Sequence, residues 1–223
     1  GFFYVLDRQT GKLISAEPYT YMNWATGVDK VTGRPIETDF SRYKNENRVI
    51  SPGPVGGHNW QPMAYNPTTG LMYFPAHVSS FSFGNDSIWK FNEKGRNIST
   101  PIDHLPTIAD PNRPENMNQG QLLAWNPQTQ KEVWRVNYPA SFWNGGVMAT
   151  AGGLVFQGTG EGKFIAYDAA DGKKLWETNV GSGVIAAPVT YMMNGKQYVS
   201  IAVGWGGNPG HRVRFTEENY PGT

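Results

Sequence analysis

Few side chains of this 223-residue chain could do chemistry, and they are unevenly placed. Four histidines are present and no cysteine, so neither a disulfide framework nor a Cys-x-x-Cys-His haem attachment can exist within the chain. The absence says nothing of redox compartment. Three side chains stand out by type and position. Asn59 and Trp60, in GGHNWQPM, immediately precede a strand-turn-strand pattern from Met63 to Ala76, and Trp143, in SFWNGGVMAT, precedes the glycine pair Gly145 and Gly146. On residue types alone, the Asn-Trp pair reads first as a turn with a buried aromatic and second as a pair of ligand contacts. His58 reads as a strand cap. The acids Asp7, Asp29, Asp168 and Asp171 read as turn formers, and no residue is assigned a catalytic or metal-ligating role.

The elements that must position these residues are set by an internal repeat. AYDAADGKKLW, from Ala166 to Trp176, returns 42 residues earlier as AWNPQTQKEVW, from Ala124 to Trp134, with Asn126 standing for Asp168 and the closing tryptophan in register. Fainter copies, VLDRQTGKLIS from Val5 to Ser15 and AYNPTTGLMYF from Ala64 to Phe74, keep the turn and lose the tryptophan. A period of this size marks like units stacked on one another. Each copy reads as strand, tight turn and strand. Phe164, Ala166 and Asp168 alternate with Ile165 and Tyr167 in period two, Asp168 can cap the turn by accepting backbone N–H bonds, and Gly172 can take a positive φ. A tryptophan at the end of the second strand buries a large ring yet needs a partner for its N–H, which suits a joint between two sheets. Trp134 and Trp176 are both expected to be buried at such joints, their N–H groups bonded to backbone.

Along the chain, Phe2–Asp7 and Lys12–Ala16 read as strands around the turn Arg8–Gly11. Glu17–Gly57, rich in Gly, Pro and Asn, reads as surface connection with a turn at Thr32–Pro35, and His77–Gly120 as an excursion between blades whose apolar clusters are Phe81, Phe83 and Trp89. Val147–Gln157, Val184–Val189 and Gln197–Val203 read as strands, the last pairing after the Asn194-Gly195 turn, and everything after Gly204 reads as loop. Asn85 and Asn97 each open an Asn-X-Ser pattern, read as chance matches. A charged fraction of 17% with net charge +1 gives no reason to expect nucleic acid or an acidic partner. Eight tryptophans and 27 glycines suit a turn-rich sheet protein with large side chains between its layers. No apolar run reaches membrane-spanning length, and no signal peptide is read at Gly1.

The spacing of Ala166, Asp168, Gly172 and Trp176 resembles the tryptophan-docking motif of the pyrroloquinoline quinone (PQQ) dehydrogenases, with Asp171 where threonine is usual and Gln130 in place of glycine in the earlier copy. GFFYVLDRQTGKLISA, GGHNWQPMAYNP, WNGGVMATAGGLVFQGT and GVIAAPVTYMMNGKQYVSIAVGWGG extend the resemblance over most of the chain, on the ethanol-type side of the quinoprotein alcohol dehydrogenases. The resemblance implies an all-β fold, a fragment of about four blades from an eight-bladed β-propeller, with residues 1–223 forming one partial domain cut at both ends. It further implies oxidation of a small primary alcohol to an aldehyde with PQQ and a Ca²⁺ or lanthanide ion. Electrons would pass to cytochrome c or a quinone, the location would be periplasmic, and the full-length protein would form a homodimer. In the family the base aspartate, the metal ligands and the basic residue touching the quinone all precede the segment matching GFFYVLDR, so none is carried over. Asn59 and Trp60 match the Asn-Trp pair that contacts PQQ, and Trp143 lies in a loop of the kind that approaches it, partly through backbone N–H groups beside Gly145 and Gly146. A planar polyanion needs both directional donors and an aromatic face.

Two other classes share propeller repeats. A scaffold of the outer-membrane-assembly type binds partner proteins without a cofactor and has no use for HNWQPM or WNGGVMAT. A carbohydrate- or peptide-binding propeller would lack quinone absorbance. On the dehydrogenase resemblance these residues alone are expected to be inactive, because the base, the metal ligands and one wall of the quinone pocket are absent, and not monomeric, because repeat arrays without caps leave blade faces and strand edges in water.

Overall fold

The computed structural model describes residues 1–86, 88–95, 97 and 107–206. Ser87 and Ser99 of the two Asn-X-Ser patterns, and the expected loop from 207 onward, lie outside them. The strands are β1 Phe2–Leu6, β2 Leu13–Pro18, β3 Ala25–Val28, β4 Pro35–Glu37, β5 Asn47–Ile50, β6 Ala64–Asn66, β7 Leu71–Val78, β8 Phe81–Phe83, β9 Thr107–Ile108, β10 Gln119–Asn126, β11 Lys131–Tyr138, β12 Asn144–Ala149, β13 Leu154–Thr159, β14 Lys163–Asp168, β15 Lys174–Asn179, β16 Val189–Met193 and β17 Lys196–Ser200. Among the described residues the only helical element is a 3₁₀ turn at Asp39–Ser41, as the all-β reading requires. The chain divides into two compact units, Gly1–Gly57 with Val78–Met117, and His58–His77 with Asn118–Thr223.

In the first unit, β1 and β2 pair antiparallel, β3 and β4 form a hairpin, and β5 is flanked by β8 antiparallel and β9 parallel. Phe2, Ala16, Ala25 and Val28 form its core with Leu13, Met22 and Trp24 against them. Glu17–Gly57 is therefore not plain surface connection, since it contains β3, β4 and β5. The overlooked signal is DKVTGR, which repeats DRQTGK. Asp29 Oδ1 accepts the N–H groups of Val31 and Thr32 at 3.0 and 2.7 Å, as Asp7 Oδ1 accepts those of Gln9 and Thr10 at 3.0 and 2.8 Å. An aspartate that closes such a turn makes a hairpin of whatever strands flank it.

In the second unit, two four-stranded sheets run in the orders β11-β10-β7-β6 and β12-β13-β14-β15, and β16 pairs with β17. Because β7 and β10 are neighbours in one sheet, the excursion at His77–Gly120 leaves and rejoins a single blade rather than passing between blades. For the same reason AYNPTTGLMYF is the turn of β6 and β7 within the sheet that AWNPQTQKEVW closes, not a further blade. The alternation read in β14 is real but both of its faces are covered. Phe164 and Ala166 pack with Phe156, while Ile165 and Tyr167 join Leu122, Ala124, Trp134, Tyr138 and Val155 in the larger cluster. Of Val184–Val189, only Val189, the first residue of β16, lies in a strand. Val184 makes one bridge to Gly204 and is fully buried, with its Cγ1 2.2 Å from where a Cβ on Gly158 would stand, so its apolar character serves packing rather than a ladder.

The two tryptophans part company. Trp134 is buried and its Nε1–H donates to the Ala169 carbonyl at 3.0 Å, an acceptor shared with the Tyr73 hydroxyl at 2.9 Å. Ala169 belongs to the Asp168–Gly172 turn of the next sheet. Gly172 sits there at φ +74°, and a Cβ on it would come within 2.6 Å of the Trp134 ring. Trp176, expected to be buried likewise, is 49% exposed and leans edge-on against Phe164 of its own sheet, with ring centroids 6.0 Å apart. Docking needs a turn from a following sheet laid over the indole, and among the described residues none covers this one.

Candidate cofactor-binding site

β6 and β12 are end strands of the two four-stranded sheets, and GGHNWQPM leads into the first while SFWNGG enters the second. The two segments meet where the Val147 N–H donates to the Pro62 carbonyl at 3.0 Å. Close approach explains the glycine pair. A Cβ on Gly146 would lie 2.6 Å from Pro62 Cδ and 2.9 Å from Ala187 Cβ, and one on Gly145 would lie 2.5 Å from the Ala186 carbonyl oxygen. Close packing of neighbouring protein atoms thus accounts for both glycines.

The Asn-Trp pair is exposed. Asn59 Oδ1 accepts the Trp60 N–H at 2.9 Å, which fixes the amide over the backbone, and the Trp60 indole is 55% exposed, so the pair is not a turn with a buried aromatic. His58 beside it is structural. A carbonyl can only accept, so Nδ1–H donates to the Pro75 carbonyl at 2.6 Å, and the ring meets Phe74 edge-on. Burial pulls its pKa below the usual imidazole range, with the carbonyl acting weakly the other way, so the ring is held neutral. Trp143 is buried at 7% exposure. Its ring packs at 81° on His77, 4.7 Å between centroids, and at 71° on Phe142, while His77 stacks on Phe142.

Behind the Trp143 loop lies polar structure that sequence reasoning missed. Gln157 Nε2 donates to the Gly145 carbonyl at 2.9 Å, the Tyr138 hydroxyl donates to Gln157 Oε1 at 2.8 Å, and the Tyr167 hydroxyl donates to Tyr138 at 2.8 Å. Burial pushes the Tyr138 hydroxyl well above the usual phenol pKa, helped by Tyr167, and pushes Tyr167 up to about 12 against the opposing bond from Tyr138. Both stay neutral hydroxyls, so the chain of donors ending on Gly145 is fixed in direction. Asn144 Oδ1 accepts from Ser141 Oγ at 2.8 Å and from the Gly160 N–H at 3.0 Å, pinning the loop from its other side. Gln157 in LVFQGT was the available signal, a polar residue inside an apolar strand.

Gln61, next to Trp60, was also missed. It is 1% exposed and neither Nε2 nor Oε1 has a hydrogen-bond partner among the described residues. An exposed indole with an amide beside it fits a planar, oxygen-rich group. A metal is another matter: among the described residues no group of three or more His, Cys, Asp or Glu side chains converges. Asp7, Asp29, Asp168 and Asp171 all turn their carboxylates onto backbone N–H groups of their own turns.

Four-stranded sheets joined by a docked tryptophan, with loops entering their end strands, are the architecture of a β-propeller blade stack. Residues 116–199 match the family described as PQQ, glucose/ethanol/alcohol dehydrogenase, beta-propeller domain. Over its whole length the chain is 48% identical to a quinohemoprotein alcohol dehydrogenase from Comamonas testosteroni and 46% identical to a 1-butanol dehydrogenase (cytochrome c) from Thauera butanivorans, covering 32% of each. The crystal structure of the Comamonas testosteroni enzyme superposes with a TM-score of 0.82 at 45% identity, over 92% of this chain and 31% of that one. A europium-containing methanol dehydrogenase superposes with a TM-score of 0.77 at 32% identity, over 90% and 34%. The chain therefore spans about a third of the length of the relatives it matches.

Proposed function

We propose that these residues are part of a PQQ-dependent alcohol dehydrogenase that oxidises small primary alcohols to aldehydes in the periplasm, and that residues 1–223 belong to one propeller domain forming one wall of its cofactor site. The electron acceptor is a cytochrome c or a quinone, and a Ca²⁺ or lanthanide ion is held by residues outside this chain. The observation that carries the reading is the meeting of GGHNWQPM and WNGGV at Pro62 and Val147, with the Trp60 indole left open to solvent beside it. The names of the matched relatives support it, and no observation favours a cofactor-free scaffold.

When bound, PQQ supplies the two-electron acceptor that takes hydride from the alcohol carbon. What this chain contributes is binding. The Asn59 amide orients an oxygen of the cofactor, the Trp60 indole covers its plane and excludes water, and Trp143, wedged on His77 and Phe142, holds the adjoining loop in place. Asn59→Ala in the full-length apoenzyme is expected to weaken PQQ binding about tenfold, the worth of a hydrogen bond to a charged group, without lowering the melting temperature. Unchanged titration and unchanged turnover together would reject the site.

A further inference from the structure

The end strand β12 is irregular where it meets the other loop. Asn144 pairs with Thr159 and Val147 with Gln157, so Gly145 and Gly146 together face the single residue Gly158. Two residues opposite one make a β-bulge, which leaves the extra residue outside the ladder and re-aims the strand. Gln157 supplies a bond there: its side chain is fully buried and Nε2 donates to the Gly145 carbonyl at 2.9 Å. An amide fits its socket either way round, and the tyrosines behind it decide which. The Tyr138 hydroxyl donates to Gln157 Oε1 at 2.8 Å and is itself bonded to the Tyr167 hydroxyl at 2.8 Å, so the NH₂ end is turned to Gly145. Past the bulge, the Val147 N–H faces the open edge of β12 and donates to the Pro62 carbonyl at 3.0 Å, two residues from Trp60. One residue more or fewer before Val147 would exchange inward and outward N–H groups, so the bulge makes that bond available.

We infer that Gln157 is a positioning residue of the cofactor site: its amide locks the Gly145–Gly146 bulge, and the bulge holds the Trp143 loop and GGHNWQPM in register with each other. This rests on the reading of Asn59, Trp60 and Trp143 as the cofactor wall. Gln157 lies behind the loop and touches no ligand, so it acts through the backbone. Two glycines in a row restrain their own backbone least of all residues, and the restraint has to come from a neighbouring side chain. Leaving the buried Gly145 carbonyl unmet would place its desolvation cost on the segment that joins the two loops. A wall held in place before the ligand arrives needs little ordering at binding.

The test uses the full-length apoenzyme, titrated with PQQ by tryptophan fluorescence at several pH values and melted without PQQ. Gln157→Leu removes the donor and is expected to weaken PQQ binding about tenfold, the worth of one hydrogen bond. Gln157→Glu keeps the shape and makes the bond depend on a proton. Protonated, its carboxyl O–H donates to the Gly145 carbonyl while the other oxygen accepts from Tyr138; ionised, it has no donor for Gly145. The titratable groups facing it are Tyr138 of β11 and Tyr167 of β14, whose hydroxyls feel Glu161 and Glu177 respectively, and burial among them raises the carboxyl pKa. The affinity of this variant relative to wild type at the same pH, a ratio that cancels the titration of PQQ itself, is therefore expected to be close to wild type in acid and to fall about tenfold as pH rises and the carboxyl ionises. If the leucine variant does not fold, that pH dependence carries the same reading. Wild-type PQQ affinity at every pH with a lowered melting temperature would make Gln157 a packing residue only and overturn the inference, as would a ratio for Gln157→Glu that does not change with pH. Should Asn59→Ala weaken binding while neither Gln157 variant does, only this inference falls; should none of the three change PQQ binding, the cofactor wall itself falls.

Discussion

Trp134 and Trp176 close the same eleven-residue pattern, yet one is buried with its N–H bonded to Ala169 and the other is half in water. Their own sheets treat them alike. Each stands on the last strand of a four-stranded sheet, opposite the alanine of the preceding strand, Ala124 for one and Ala166 for the other. What differs is the surface beyond. Trp134 meets the Ala169–Gly172 turn of the following sheet, whereas the described contact of Trp176 is Phe164 of its own. The motif thus codes for half of a joint, and the stabilisation belongs to the pair of sheets rather than to the tryptophan.

The largest way to break this comparison is Trp134→Ala, which is expected to cost roughly 3–5 kcal/mol in urea unfolding, the range for truncating a buried tryptophan. A loss below about 1 kcal/mol would mean that the joint contributes little. Next, Gly172→Ala is expected to cost about 2–3 kcal/mol, since its Cβ would press on the Trp134 ring and its φ of +74° resists any side chain. Gly11→Ala is the control: the same turn and a φ of +71°, but open space around the added methyl, so the expected cost is about 1 kcal/mol. Equal losses at the two glycines would remove the docking contribution. The smallest effect is expected for Trp176→Ala, below about 1 kcal/mol in this chain, as for other exposed positions. A loss matching that of Trp134→Ala would show that its ring is covered after all.

The same contrast explains what the sequence made legible. Turns built on an aspartate or asparagine were readable because the side chain completes them with its own neighbours; Asp7, Asn126 and Asp168 each accept N–H groups two or three residues on. Trp176 and the placement of His77–Gly120 were misread because burial and strand adjacency depend on residues far away in sequence. At the candidate site, the position of Asn59 and Trp60 could be read from their motif, while the exposure of the indole could not. Gln61 and Gln157 escaped notice because an amide in an apolar stretch looks the same whether its partners are present, as for Gln157, or missing, as for Gln61. In DKVTGR the turn was readable but the hairpin was not, because its flanking strands, Ala25–Val28 and Pro35–Glu37, are short and weakly apolar.

The detour between β7 and β10 has a consequence for synthesis. β7 leaves the ribosome about 40 residues ahead of the strand that must lie beside it, which at cellular elongation rates is a delay of about 2–8 s. During that interval β7, eight residues long and largely apolar, presents an unpaired edge of the kind that recruits other strands. The excursion residues that emerge in the meantime fold with the first unit, so the nascent chain must complete part of an earlier body before it can close the later one. Errors in this protein should therefore arise co-translationally at β7, and slowing or speeding elongation across residues 79–118 should change the yield of folded chain without altering a single native contact.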